Sequence, residues 1–258
     1  MSSNGISPLD EFLFENIKNT TGKVLDYGCG EGRFIKLCSD RGLKILGADT
    51  YDGIYNSWKT DKQNIVRIYN NMTPFPNSEF QVILSNQTFE HIRPNEVYAV
   101  TKEIARILSV NGFGINIFPT RKTFIEAHVG VPLVHLLNKY PRFQKIYLHL
   151  CFLLGIGYWR SDKKRGLRKT KTRKEWVNSS MYVLENSIFY SSYKFWRNNF
   201  SRFGCKVENV SYLVLIWAAP KSLKPSLSVI CRLQLFVRII NLLVELRLGI
   251  VLRITKLN

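Results

Sequence analysis

Short apolar runs and amphipathic stretches alternate over the first 120 residues, the pattern of a parallel sheet covered by helices. The runs predict strands at Lys23–Tyr27, Lys44–Asp49, Ile65–Ile68, Phe80–Asn86 and Gly112–Phe118. Leucine, isoleucine and valine dominate them, as in strands buried on both faces. Helical periodicity predicts helices over Glu31–Asp40 and Asn95–Leu108, the second following Pro94 and ending at Asn111-Gly112, a helix-stop pair. After Pro119 the pattern changes. Residues 121–185 carry two apolar stretches and a basic run, and read as an insertion over the sheet. Phe189–Phe203 predicts an amphipathic helix stopped by Gly204, and Cys205–Trp217 is strand-like. Ser226–Lys256 reads as one long apolar helix in which Gln234, Arg238, Asn241 and Glu245 form a narrow polar stripe.

The loop 26-DYGCGEG-32 carries the most chemistry. A predicted strand ends in an acidic residue, then turns through alternating glycines into a helix. Glycine is needed where the backbone bends through positive φ or a ligand presses against it. The spacing differs from the G-x-G-x-x-G that seats a dinucleotide pyrophosphate on a helix N-terminus. Here Asp26 stands directly before the glycines, where it would repel a phosphate and attract an ammonium group. Twenty-three residues on, Asp49 ends the next predicted strand and suits the two hydroxyls of a ribose.

On these residues the chain resembles the class I S-adenosylmethionine-dependent methyltransferases over roughly residues 20–120. The glycine loop is similar to the first motif of that family and Asp49 to its second. The runs 70-NNMTPFPNSEFQVILSNQTFEHI-92 and 103-EIARILSVNGFGINIF-118 resemble the adenine-side and fifth-strand segments. The resemblance implies a Rossmann-like α/β fold: a seven-stranded, mostly parallel sheet flanked by helices, with a helical insertion after the fifth strand and a C-terminal amphipathic helix. It implies S-adenosyl-L-methionine as cofactor. Asp26, Gly28, Cys29 and Gly30 would surround its methionine part, Asp49 and Thr50 the ribose, Asn71 and Met72 the adenine, and Asn86 the methionine end. The chain departs from the family pattern at Asn71, where an acidic residue is often found. The expected division is a methyltransferase domain over 1–218, with 121–185 covering the acceptor site, followed by an apolar, amphipathic helix over 219–258.

Charge then narrows the partner. Residues 1–120 hold 12 Lys/Arg against 13 Asp/Glu, whereas residues 121–258 hold 25 against 6, so the net charge of +18 resides in the second half. Eight of the twelve residues in 163-KKRGLRKTKTRK-174 are basic. Beside the apolar stretch Ile146–Ile156, which is too short to cross a bilayer, this run suits an anionic membrane surface. The five cysteines are scattered without a C-x-x-C pair, so neither a disulfide framework nor a metal site is expected from them. With no charged-then-apolar pattern at the N-terminus, the expected location is cytoplasmic, peripheral on the inner membrane face.

The segment Ser85-Asn86-Gln87-Thr88 lacks the Pro-Pro-aromatic run of nucleobase-amino methyltransferases and the Pro-Cys pair of those that attack pyrimidine carbon. Both absences count against methylation of a nucleic-acid base. The charge map and the segment Glu126–Leu137 are similar to methyltransferases of glycan and lipid pathways, a resemblance that implies a hydroxyl of a small molecule, glycan or lipid-linked compound as acceptor. Glu90 and His91 follow the fourth strand and His128 follows the fifth, and these are the candidate catalytic groups, because a histidine takes a hydroxyl proton near neutral pH. His135 is a weaker candidate and His149 a packing residue. Two functional alternatives remain at the level of sequence, an RNA methyltransferase gripping phosphate through 163–174 and a non-catalytic binder of the cofactor. For the C-terminal helix, packing on the domain and homodimer formation stand beside the favoured membrane contact.

Overall fold

The computed structural model describes residues 7–50, 64–157 and 172–257. Seven strands form one sheet in the order β3-β2-β1-β4-β5-β7-β6. They are β1 (Val24–Tyr27), β2 (Leu46–Asp49), β3 (Ile65–Arg67), β4 (Phe80–Asn86), β5 (Leu108–Phe118), β6 (Cys205–Asn209) and β7 (Ile250–Lys256). Strand β7 runs antiparallel to its neighbours β5 and β6, and the pairs from β3 to β5 are parallel. Their shared direction places the C-terminal ends of β1, β2, β4 and β5 along one rim, where such sheets bind ligands. The order reverses at β1, between β2 and β4.

Two apolar layers sandwich the sheet. On one face Leu25, Ile83, Ile104, Phe89, Trp196 and Leu252 pack together. On the other Phe12, Ile17, Val82, Leu84, Ile35 and Val251 do so. Helix α1 (Pro8–Ile17) belongs to the second layer and escapes the sequence reading. Its signal is the capping box at Ser7, whose hydroxyl accepts the Asp10 N–H while the Asp10 carboxylate accepts the Ser7 N–H. Among the described residues, the first half also holds helices α2 (Arg33–Asp40) and α3 (Val97–Ile107). Helix α3 ends before the predicted stop, because residues 108–110 are already paired into β5. Asn111 takes a positive φ of 60° within that strand, where the register with β4 shifts.

The insertion builds a small core of its own. Helices α4 (Pro141–Leu153) and α5 (Arg173–Asn186) bury Leu148, Cys151, Trp176, Val177 and Leu184 against Val129, Val131 and Val134 of the preceding loop. Most of the basic run, 163–171, lies outside the described residues. Helix α6 (Tyr193–Ser201) agrees with the predicted amphipathic helix, and Gly204 follows it at φ 69°.

The C-terminal third corrects the expectation. Cys205–Trp217 is not a single strand: β6 stops at Asn209 and Tyr212–Ala218 is helix α7. Ser226–Lys256 is not one helix either, so residues 219–258 do not form a separate helical appendage. Helices α8 (Lys224–Ile230) and α9 (Gln234–Arg247) are bent by 115° to each other, and the chain then returns as β7 to close the sheet. Among the described residues no single helix is long and apolar enough to cross a membrane. Gly249 makes the reversal at φ 107°, with space for a side chain blocked by the Phe118 carbonyl 2.3 Å from where a Cβ would lie. The β-branched run after it then enters the core, with Ile250, Val251, Leu252 and Ile254 buried.

Substitution Gly249→Ala therefore destabilises the fold by about 2–4 kcal/mol and lowers Tm by roughly 5–12 °C in thermal unfolding. A continuous helix through this point would instead gain about 1 kcal/mol from the same change.

Candidate active site

The rim at the strand order reversal opens into a cleft of about 300 Å³, lined by Tyr27, Gly28, Gly30, Asp49, Thr50 and Asn71, and beyond them by Gln87, Thr88 and His91. Its floor follows from the glycine loop. Gly28 sits at φ 79°, and a Cβ there would meet Thr88 Cγ2 at 2.2 Å, so only glycine lets the loop after β1 pass the loop after β4. Gly30, at φ 52°, faces open space, with no atom within 4 Å of where a Cβ would lie. The Asp49 carboxylate accepts the Gly30 N–H at 2.8 Å and so fastens the bend to the end of β2. The Gly28 and Cys29 N–H groups bond the Ala48 carbonyl at 2.7 and 3.2 Å.

Three carboxylates gather beneath this bend. Asp26 is buried, and burial together with Asp49 and Asp10 pushes its carboxyl up to about 7. Asp10, on α1, accepts from Arg33 at 2.9 Å and from the Asn86 amide at 3.1 Å. Asn86 Oδ1 is buried with no hydrogen-bond partner. A buried negative cluster, an orphaned acceptor and a backbone bend facing open space form a cradle for a ligand carrying an ammonium group. The expected cofactor fits it. Asp26, Asp49, Gly28, Gly30 and Asn86 would hold its methionine and ribose parts.

The adenine-side residues sit on a two-residue turn. Asn70 and Asn71 both have positive φ, 50° and 62°, and Tyr69 and Met72 exchange backbone hydrogen bonds around them. The turn is anchored by Thr73, whose N–H and hydroxyl both donate to Glu103 at 2.8 and 2.6 Å. Asn71 lines the cleft. Met72 is exposed on the turn and does not line it. Cys29 contributes backbone only: its Sγ would lie 2.8 Å from a Cβ at Gly47, inside the core, and burial pushes the thiol up. Gln87 and Thr88 stand in the cleft wall, and sequence reasoning did not assign them a role.

At the far end of the cleft the three candidate catalytic residues meet. His91 Nε2 and His128 Nε2 are 3.3 Å apart, and Glu90 Oε1 lies 3.9 Å from the first and 4.0 Å from the second. The other ring nitrogens are committed. His91 Nδ1 lies 2.6 Å from the Ser187 carbonyl, and since a carbonyl only accepts, Nδ1 bears the proton. His128 Nδ1 donates to Glu126 Oε1 at 2.9 Å, while the His128 and Val129 N–H groups donate to Glu126 Oε2 at 2.9 and 2.7 Å. The Tyr190 hydroxyl also donates to Glu126 Oε1.

These partners set the protonation. Burial would raise the Glu126 carboxyl, but its bonds from His128, Tyr190 and Val129 outweigh that and hold it below the usual range. Burial likewise pulls His128 down, and the Glu126 carboxylate with Glu90 more than reverses it, so His128 titrates above an ordinary histidine. His91 is lowered by burial and then by His128. Glu90 is 1% exposed, and burial pushes it up to about 8. Glu126 and Tyr190 were not singled out from sequence, although Glu126 stands two residues before His128. His135 lies apart: its Nε2 bonds the Arg121 carbonyl at 2.9 Å and its ring packs on Tyr190. His149 sits in α4, with its Nδ1 buried and unpartnered.

Residues 25–115 match the family model described as a methyltransferase domain. An uncharacterized methyltransferase of Oceanobacillus iheyensis is 25% identical over 118 residues, 44% of this chain and 55% of the relative. The chain thus spans about half the length of the curated relative it matches. Among solved structures, the YcgJ protein of Bacillus subtilis superposes with a TM-score of 0.50 at 13% identity, covering 96% of this chain and 98% of that one. A SAM-dependent methyltransferase of Archaeoglobus fulgidus gives 0.49 at 14% identity, covering 96% and 93%. The matched segment runs from β1 into β5, and holds both the glycine bend and the strand-end carboxylate at Asp49. Over this segment the chain carries a methyltransferase domain of the S-adenosylmethionine-dependent kind.

Proposed function

We propose that this protein transfers a methyl group from S-adenosylmethionine to a hydroxyl of a small, glycan or lipid-linked acceptor, at the cytoplasmic face of a membrane. The observation that carries the reading is the cluster of Glu90, His91 and His128 beside the cleft. When bound, the cofactor supplies a methyl group on a positively charged sulfur. The chain has three tasks. Asp26, Asp49, Thr50, Asn71 and Asn86 hold the nucleoside and its amino-acid end. Ile68, Ile92 and Val100 in the cleft wall exclude water. His128, held by Glu126 through Nδ1, accepts the hydroxyl proton at Nε2, and Glu126 stabilises the imidazolium that forms.

The acceptor class rests on a second surface. Helix α9 docks on the domain through Asn241 and Glu245, the C-terminal half of its polar stripe, while Gln234 and Arg238 stay exposed. Asn241 accepts the Tyr212 N–H and donates to the Asn209 carbonyl, and Glu245 accepts from Thr120 and Lys122. Its apolar side faces outward, with Leu235 71%, Leu243 59% and Ile239 49% exposed. The Phe124 N–H bonds the Leu246 carbonyl, so this face continues into the exposed Phe124 and Leu133 of the loop that carries Glu126 and His128. An apolar face rimmed by Arg232, Arg238 and Arg247 supports an anionic lipid surface beside the acceptor site.

Four outcomes check this reading. Asp26 is ionised in a buried, negative setting above pH 7, which costs stability in the free protein. Asp26→Asn therefore raises Tm at pH 8 by about 5 °C, weakens cofactor binding, and loses its stability advantage as pH falls from 7 toward 4. Incubation with methyl-labelled cofactor and fractionated extract places label in the lipid or glycan fraction. His128→Gln lowers kcat about 100-fold or more with little change in cofactor affinity, and Glu126→Gln moves the acid limb of the rate profile to lower pH. Label in RNA would favour the phosphate-gripping alternative, and no transfer to any fraction would favour a non-catalytic binder. Finally, the protein sediments with anionic vesicles, and Leu235→Glu with Leu243→Glu abolishes this. A dimer dispersed by the same pair, without vesicle binding, would assign the face to a second copy.

A further inference from the structure

We propose that Glu90, His91 and His128 form a binding site for one divalent transition-metal ion of the zinc class. The two histidine Nε2 atoms and Glu90 Oε1 make a triangle with sides of 3.3, 3.9 and 4.0 Å. The point equidistant from those three atoms lies about 2.2 Å from each, close to zinc–nitrogen and zinc–carboxylate bond lengths of about 2.0–2.2 Å. Three such groups facing one another are an unfavourable arrangement unless a proton or a cation lies among them. Both Nδ1 atoms give their protons to other groups, so both Nε2 atoms can turn lone pairs toward each other. Both oxygens of Glu90 are buried without a hydrogen-bond partner. A proton shared between the imidazoles relieves this in part, whereas a cation uses all three groups.

The surroundings are those of a metal site as well. Each histidine is oriented through its second nitrogen, one by the Ser187 carbonyl and the other by the Glu126 carboxylate that Tyr190 and two backbone N–H groups hold in place. His91 is exposed and borders the cleft, which gives an ion a path in and leaves coordination positions open toward it. Two imidazoles and one carboxylate select zinc, cobalt(II), nickel(II) or iron(II) over magnesium and calcium, which favour all-oxygen shells. This site deepens the proposed function and relies on it only for the acceptor's position. A bound ion would occupy the lone pairs that otherwise take the hydroxyl proton and would acidify a coordinated hydroxyl instead. The pH behaviour predicted for His128 and Glu126 variants thus refers to chelator-treated protein.

The test needs neither cofactor nor acceptor. Full-length protein stripped with chelator is titrated with cobalt(II) chloride and followed by visible absorption and calorimetry. One ion per chain is expected, at about micromolar affinity or tighter, with the intense bands of a four- or five-coordinate centre, displacement by zinc and none by magnesium. His91→Gln and His128→Gln each weaken binding about 100-fold, and Glu126→Gln, a change in a positioning residue, about 10-fold. His135→Gln leaves it unchanged. Circular dichroism and cofactor binding establish that each variant is folded. Should His128→Gln fail to fold, the exposed His91→Gln decides alone. Absence of the bands, or wild-type affinity in His91→Gln, overturns the site. Because the readout is independent of methyl transfer, failure of the metal site leaves the proposed function standing, and the converse also holds.

Discussion

The structure depends on a bend that only glycine can make, clamped between a buried carboxylate and one at the edge of the cleft. Gly28 must pass within contact of Thr88, and Gly30 must leave its outer side open. The Asp49 carboxylate ties that bend to β2, while Asp26 lies buried beneath it. Holding an ionised or half-ionised Asp26 next to Asp49 and Asp10 costs folding energy. The remainder of the domain supplies it through two apolar layers and a sheet closed by β7. A fold optimised for stability alone would have an amide or an apolar group at Asp26. The carboxylate suits the proposed cofactor, whose ammonium group would offset the repulsion.

The insertion after β5 solves a different problem. It brings Glu126 and His128 over the rim, where Tyr190, just beyond the insertion, meets Glu126 and one imidazole faces another. Glu126 is fully buried, yet four donors converge on it, so it stays ionised and fixes the ring of His128. The separate core around Leu148, Trp176 and Val177 gives this loop a rigid support. Positions set this way suit either a proton or an ion between the two Nε2 atoms, and it is the proximity of the rings that makes both readings follow from one geometry.

Much of this was legible in the chain because buried parallel strands are short, apolar and bounded by glycine or acidic residues. Thus β1, β2 and β4, the glycine loop and the strand-end Asp49 could be read directly. The cluster of Glu90, His91 and His128 was legible as residue types near strand ends, but not as a contact, since it joins segments 37 residues apart. Glu126 and Tyr190 are 64 residues apart and carry no local motif. The C-terminal segment misled because leucine-rich helix and β-branched strand are both apolar there. The decisive signal was Gly249 followed by Ile250-Val251. The polar stripe on α9 was visible, but its direction was not: Asn241 and Glu245 face the domain, because Asn209, Tyr212 and Thr120 offer polar partners there.

An outward apolar face beside the His128 loop, an anionic cradle and a paired-histidine rim are the features on which the proposed function rests. Its central claim concerns the cradle. Isothermal calorimetry of the full-length protein with S-adenosylmethionine, S-adenosylhomocysteine and a nicotinamide dinucleotide tests it most directly. The account predicts one binding event per chain for each of the first two, stronger at pH 8 than at pH 6 as Asp26 ionises, and none for the dinucleotide. Binding of the dinucleotide with no heat from either adenosyl compound would contradict it.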